Sequence, residues 1–150
     1  MKKTIIKTVL AGLFISSIAV AQSNEVIDKI LNQKAITCGY AAYLILNAGG
    51  IISEDTSPDS AWERWLNMGY VKSNKKAQDP ISLGEFSFLI TKTFDIPGGM
   101  MYSLFPSPRY AARELAYLGY IAENPGPYRN LSGKEAISIL GRILRGQEDE

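Results

Sequence analysis

The chain has 150 residues, with 16 Lys and Arg against 15 Asp and Glu, no His and one Cys. Without His there is no Ser-His-Asp triad, no Cys-His couple and no imidazole metal site, and one Cys allows neither an internal disulfide nor a thiolate zinc cage. With 46% apolar and 21% charged residues, the balance is that of a globular chain rather than a disordered one.

Met1-Lys2-Lys3 and Lys7 make a basic start, Thr8 to Val20 is an apolar run of 13 residues, and Ala19-Val20-Ala21 is a small-x-small cleavage site. This pattern predicts a secretory signal peptide over residues 1–21. The run is shorter than the ~20 residues of a spanning helix. Export to the periplasm or cell envelope is the expectation. Cleavage removes Lys2, Lys3 and Lys7, which takes the net charge from +1 to −2. No nucleic-acid partner is expected from so weak an overall field. No later stretch has the length and apolarity of a membrane span.

Residues 22–145 form the expected domain, with an acidic tail at 146–150. A shift of 50 residues lays the chain over itself without a gap. Between 57 and 94 it gives 8 identities in 38 positions, where average residue usage gives about 2. Ser57-Pro58 falls on Ser107-Pro108, Gly69-Tyr70 on Gly119-Tyr120, and Ser82 and Glu85 on Ser132 and Glu135. A shift of 45 lays Ile36 to Ile45 over Ile81 to Ile90, a partial copy at about 24–49. The full copies are 57–94 and 107–144.

In chain order, Val26, Ile27, Ile30 and Leu31 predict a first short helix. A helix capped by Thr37 follows, with Tyr40 in place of the Glu of a capping box. Ser57 and Pro58 open the next helix, whose apolar face is Trp62, Trp65, Leu66 and Met68. Gly69 supplies its left-handed end. After a polar loop to Pro80, Ser82 and Glu85 form a capping box ahead of Phe86, Leu89, Ile90 and Phe94. Residues 95–110 are an apolar, aromatic linker rich in Pro and Gly. Ser107, Pro108 and Gly119 then frame a helix with Ala111, Ala112, Leu115 and Leu118 on one face. Ser132 and Glu135 box the last helix, which carries Ala136, Ile139, Leu140 and Ile143. No strand alternation is present, so five or six short helices in an all-α domain are expected. A lone pair of such helices buries too little to be stable, and three stacked pairs can share one core.

These units resemble the repeats of the S-layer homology family. The turn of that repeat corresponds to Gly69-Tyr70-Val71 and Gly119-Tyr120-Ile121, with Gly50-Ile51-Ile52 a looser echo. Its helix-opening motif corresponds to Ile81-Ser82-Leu83-Gly84-Glu85-Phe86 and Leu131-Ser132-Gly133-Lys134-Glu135-Ala136. The resemblance covers roughly residues 24–145. It implies three helix-pair repeats in a pseudo-threefold bundle that holds an exported protein to the envelope through grooves for cell-wall polysaccharide. At the place of the family's motif arginine this chain has Cys38, Leu83 and Gly133, so the guanidinium for an anionic sugar is missing there.

Several residues stand out as candidates for partner contacts. Trp62 falls on Ala112 in the other copy, so the repeat does not demand bulk there and the indole can line a groove as well as a core. In the 95–110 segment, Met101, Tyr102 and Phe105, with Met100, either form a satellite core or face a protein partner. Arg109 and Arg113 share a helix face at i,i+4, and with Arg129 they either receive an anionic group or make a solvated basic face. Glu85 and Glu135 are a matched carboxylate pair, which glycoside hydrolysis would need, but the capping boxes account for both. Cys38 reads as a small buried residue. No metal or cofactor is expected. Asp55, Ser57 and Asp59 lack the glycine and closing Glu of a calcium loop, and Gly98-Gly99 leads into no phosphate-loop Lys.

The expected function is a non-catalytic exported envelope module for attachment or assembly, binding an envelope protein or cell-wall polysaccharide at grooves between repeats. The alternative is a small exported cell-wall hydrolase that uses carboxylates.

Overall fold

The computed structural model describes residues 24–122 and 124–148; the expected signal peptide lies outside them. Among the described residues the regular structure is helical, with only two isolated antiparallel bridges besides, so the fold is all-α as expected. The helices are α1 (24–31), α2 (Cys38–Ala48), α3 (Pro58–Asn67), α4 (Leu83–Thr93), α5 (Met100–Leu104), α6 (Pro108–Tyr117) and α7 (Gly133–Glu148). The single-turn α5 falls inside the segment read from sequence as a linker. No helix among the described residues is long and apolar enough to cross a membrane.

Two kinds of helix follow from the residue pattern. α2 and α4 are apolar nearly all round, and both are buried over most of their length. A helix of that kind belongs at the centre. α3 and α6 are amphipathic. They bury Ala61, Trp62 and Trp65, or Ala111, Ala112 and Leu115, and expose their charges. α3 packs on α2 and α6 packs on α4, while α7 touches α2.

The ends of α3 and α6 have matching chemistry. Ser57 Oγ accepts the Ser60 N–H and Ser107 Oγ accepts the Tyr110 N–H, each with Pro in the first turn. Gly69 and Gly119 follow at φ 76° and 80°, a conformation that costs L-residues about 1–2 kcal/mol. Gly50, the looser echo, comes after α2, a helix of the other kind. Its counterpart 45 residues on is Asp95, also left-handed at φ 48°. The Ile51 N–H reaches the Leu46 carbonyl and the Ile96 N–H reaches that of Thr91, so both ends close by the same six-residue hydrogen bond.

The starts of α2, α4 and α7 are linked through their backbones. The Cys38 and Gly39 N–H groups donate to Asp79 and Ala77, both at 2.8 Å. Those of Leu83 and Gly84 donate to Arg129 and Pro127, again at 2.8 Å, and that of Gly133 to Gln33 at 3.0 Å. Ile81 donates to Ile36, and Ile36 to Leu131. Orphan amides of each helix start are thereby satisfied by the chain ahead of another, and the links close a ring.

Candidate functional site

α5 and α6 enclose an open cleft of about 560 Å³, lined by Met100, Met101, Tyr102, Arg113, Glu114 and Tyr117 among others. Its rim is unusually apolar for a surface. Met100 and Tyr117 are 76% and 87% exposed and Met101 is exposed as well; Leu104, Phe105 and Leu118, beside them in the chain, are also exposed. Tyr102 is the exception, being only 7% exposed. Its hydroxyl lies 2.8 Å from Thr91 Oγ1, and its ring covers Gly98 so closely that any Cβ there would clash. Burial raises the Tyr102 phenol above its usual pKa; the Thr91 bond opposes that shift and the Asp95 charge adds to it. Lys92 Nζ sits 5.6–5.8 Å from the ring centres of Phe88, Tyr70 and Tyr102. Its charge against three ring faces ties α5 to α4 and to the turn after α3. The 95–110 segment is therefore core and display at once, with Tyr102 anchoring it and the methionines and Phe105 facing out.

Arg109, Arg113 and Tyr117 follow one another at helical spacing along α6, and all three are exposed. Among the described residues no ion pair forms at Arg109, Arg113 or Glu114. Of the seven candidates read from sequence, the structure brings Met101, Tyr102 and Arg113 into one cleft and places Arg109 on α6 and Phe105 just past the end of α5. Trp62 and Arg129 lie elsewhere.

Trp62 is 4% exposed and its indole N–H donates to the Lys75 carbonyl at 2.9 Å. It plugs a groove and does not line an open one. Beside Trp62, Trp65, Phe88 and Glu85 only about 10 Å³ of space remains. Fifty residues on, Ala112 and Ser138 stand where Trp62 and Phe88 do. Glu135 and Ser138, the equivalents of Glu85 and Phe88, line an open groove with Ser132, Lys134, Ile139 and Arg142 that has about 340 Å³.

Arg129 is committed to holding the third helix start. Its guanidinium pairs with both Glu135 oxygens, at 2.9 and 2.5 Å, and donates to the Asn124 and Asn130 carbonyls. Ser132 Oγ accepts the Glu135 N–H at 3.2 Å. At α4 the capping box is complete, and Lys75 adds a 2.6 Å ion pair to Glu85. Burial acts to raise the Glu85 pKa, but the bonds from Lys75 and Ser82 outweigh it and hold the carboxyl below its usual value. A carboxylate kept ionised in this way is a poor proton donor. The two cations were not legible as cap partners, since no fixed spacing announces them. At α2, Thr37 makes no side-chain cap bond; the Gln33 carboxamide takes the Thr37 N–H at 3.0 Å instead.

Cys38 and Leu83 are wholly buried. A Cβ on Gly133 would fall inside the Ile30 carbonyl. These three positions thus face the interior. Burial pushes the Cys38 thiol up to about 12, against a smaller downward pull from Lys75. Among the described residues no three His, Cys, Asp or Glu side chains are grouped to hold a metal ion.

No protein-family model, curated protein or solved structure matches the chain.

Proposed function

We propose that this protein is a non-catalytic exported module of the bacterial envelope, built in the manner of S-layer homology repeats, which docks a protein partner on its α5–α6 surface. The observation that carries this reading is the exposed Met100, Met101 and Tyr117 lining one cleft, with exposed Leu104 and Phe105 next to them in the chain. Met, aromatic residues and Arg are the types enriched at protein interfaces, and a soluble monomer rarely leaves them clustered in the open. The ring of backbone bonds joining the starts of α2, α4 and α7 supports three helix pairs in a pseudo-threefold bundle. Export rests on the sequence of residues 1–21.

A second reading, a cell-wall glycan, is favoured by the open groove beside Ser132, Lys134 and Arg142. The hydrolase alternative has little to draw on, because the Glu85 carboxylate is engaged by Ser82 and Lys75 and the Glu135 carboxylate by Arg129.

A photocrosslinker at position 101 or 105 in producing cells tests the docking surface. The expected product is one discrete protein adduct, and the adduct from position 101 is lost in Phe105→Asp while the fold is kept. Absence of any protein adduct from both positions overturns the reading. In a peptidoglycan turnover assay the wild type should be inactive. Activity that disappears in a folded Glu85→Ala variant would establish the hydrolase.

A further inference from the structure

α3 and α6 have the same length, the same Ser-Pro start and the same left-handed glycine after them, 50 residues apart. Their charges are opposite at every charged position. Asp59 stands where Arg109 does, Glu63 where Arg113 does, and Arg64 where Glu114 does. In each helix the outer pair is spaced i,i+4, shares one face and is exposed. Within one molecule these pairs do not meet. α3 packs on α2, α6 packs on α4, and no ion pair among the described residues uses any of the six. Asp59 does accept a hydrogen bond from Gln78, which leaves Glu63 as the freer of the two acids. Exposed Glu54 and Asp55 extend the acidic face toward the start of α3. At the matching positions before α6 are the exposed Leu104 and Phe105.

We infer that the partner of the α5–α6 surface is a second copy of this chain, presenting α3. This rests on the reading of that surface as the docking face. Asp59 and Glu63 of one copy meet Arg109 and Arg113 of the next, and the bordering α5 side chains are covered in the contact. The contact pairs unlike faces, so it either closes as a two-fold pair, each copy giving α3 to the other's α6, or repeats into a ring or a filament. Like-charged faces, α3 on α3 or α6 on α6, repel and are disfavoured. Charge complementarity thus selects α3 against α6 in the contact between copies.

The test is sedimentation of the purified protein over a range of concentrations, at about 50 mM and about 500 mM salt. Wild type should self-associate and weaken at least about tenfold at the higher salt. The double variants Asp59→Arg/Glu63→Arg and Arg109→Glu/Arg113→Glu should each lose association at least about tenfold. Mixing the two doubles, or combining all four changes in one chain, should restore it. All four sites are exposed, and thermal melts verify that each variant folds. A wild type that stays monomeric throughout overturns the inference. So does an association that the reversals leave unmoved or the mixture fails to restore. If the protein is monomeric while the crosslinkers at 101 and 105 still capture another protein, the docking face survives and self-assembly falls. If neither occurs, both fall.

Discussion

Asp95 is the one described residue other than glycine with a left-handed backbone. Its place is held by the closing bond from Ile96 to Thr91, so the strain is carried by the helix end. Asp95→Gly should raise stability by about 1 kcal/mol in urea denaturation. Cys38 is buried with its thiol pushed up to about 12. A protonated, inaccessible thiol is inert, so alkylation should track global unfolding and vanish under native conditions. Glu85 is a third test. Its folded pKa is held below the usual 4.5. It therefore stabilises the fold fully above pH 4.5, and that contribution is lost as pH falls through the lower, folded value. Glu85→Gln keeps hydrogen-bonding atoms at the cap but cannot titrate, so its stability should fall less steeply with acid than that of wild type. Glu85→Ala should cost about 0.5–2 kcal/mol at neutral pH.

At the scale of elements, the two grooves show how side-chain volume alone opens or closes a site. Trp62 and Phe88 fill one, while Ser138, at the place of Phe88, lines the open other. Trp62→Ala should cost about 3–5 kcal/mol, measured by denaturation, because it removes a buried ring and strands the Lys75 carbonyl. Gly133 plays the opposite part. It lets the last turn of α1 lie directly on the start of α7. Gly133→Ala should destabilise by about 1–3 kcal/mol, and hydrogen exchange should show the loss concentrated in residues 24–31. The helix faces, the Ser-Pro starts and the Gly69 and Gly119 ends were legible because each is encoded within a few consecutive residues. The short α5 was not. One turn surrounded by Pro and Gly has no periodicity to read, and it is held by Tyr102 on Thr91 and by Lys92 among three rings.

Over the whole molecule, the backbone bonds from Cys38, Leu83 and Gly133 connect elements far apart in the chain, and Gly133 to Gln33 brings residue 133 back to residue 33. Sequence periodicity tells which face of a helix is apolar and where the helix begins and ends, because those depend on neighbours one to four positions away. It therefore sufficed for the all-helical class, for the pairing of Ser82 with Glu85, and for singling out 95–110 as unlike an ordinary loop. It could not show that Trp62 is a plug, that Arg129 is spent on Glu135, or that Tyr102 turns inward while Met100 and Phe105 turn out. Each of those depends on which distant segment supplies the opposite wall. Packing and ion pairing act through space, and the fold chooses their partners.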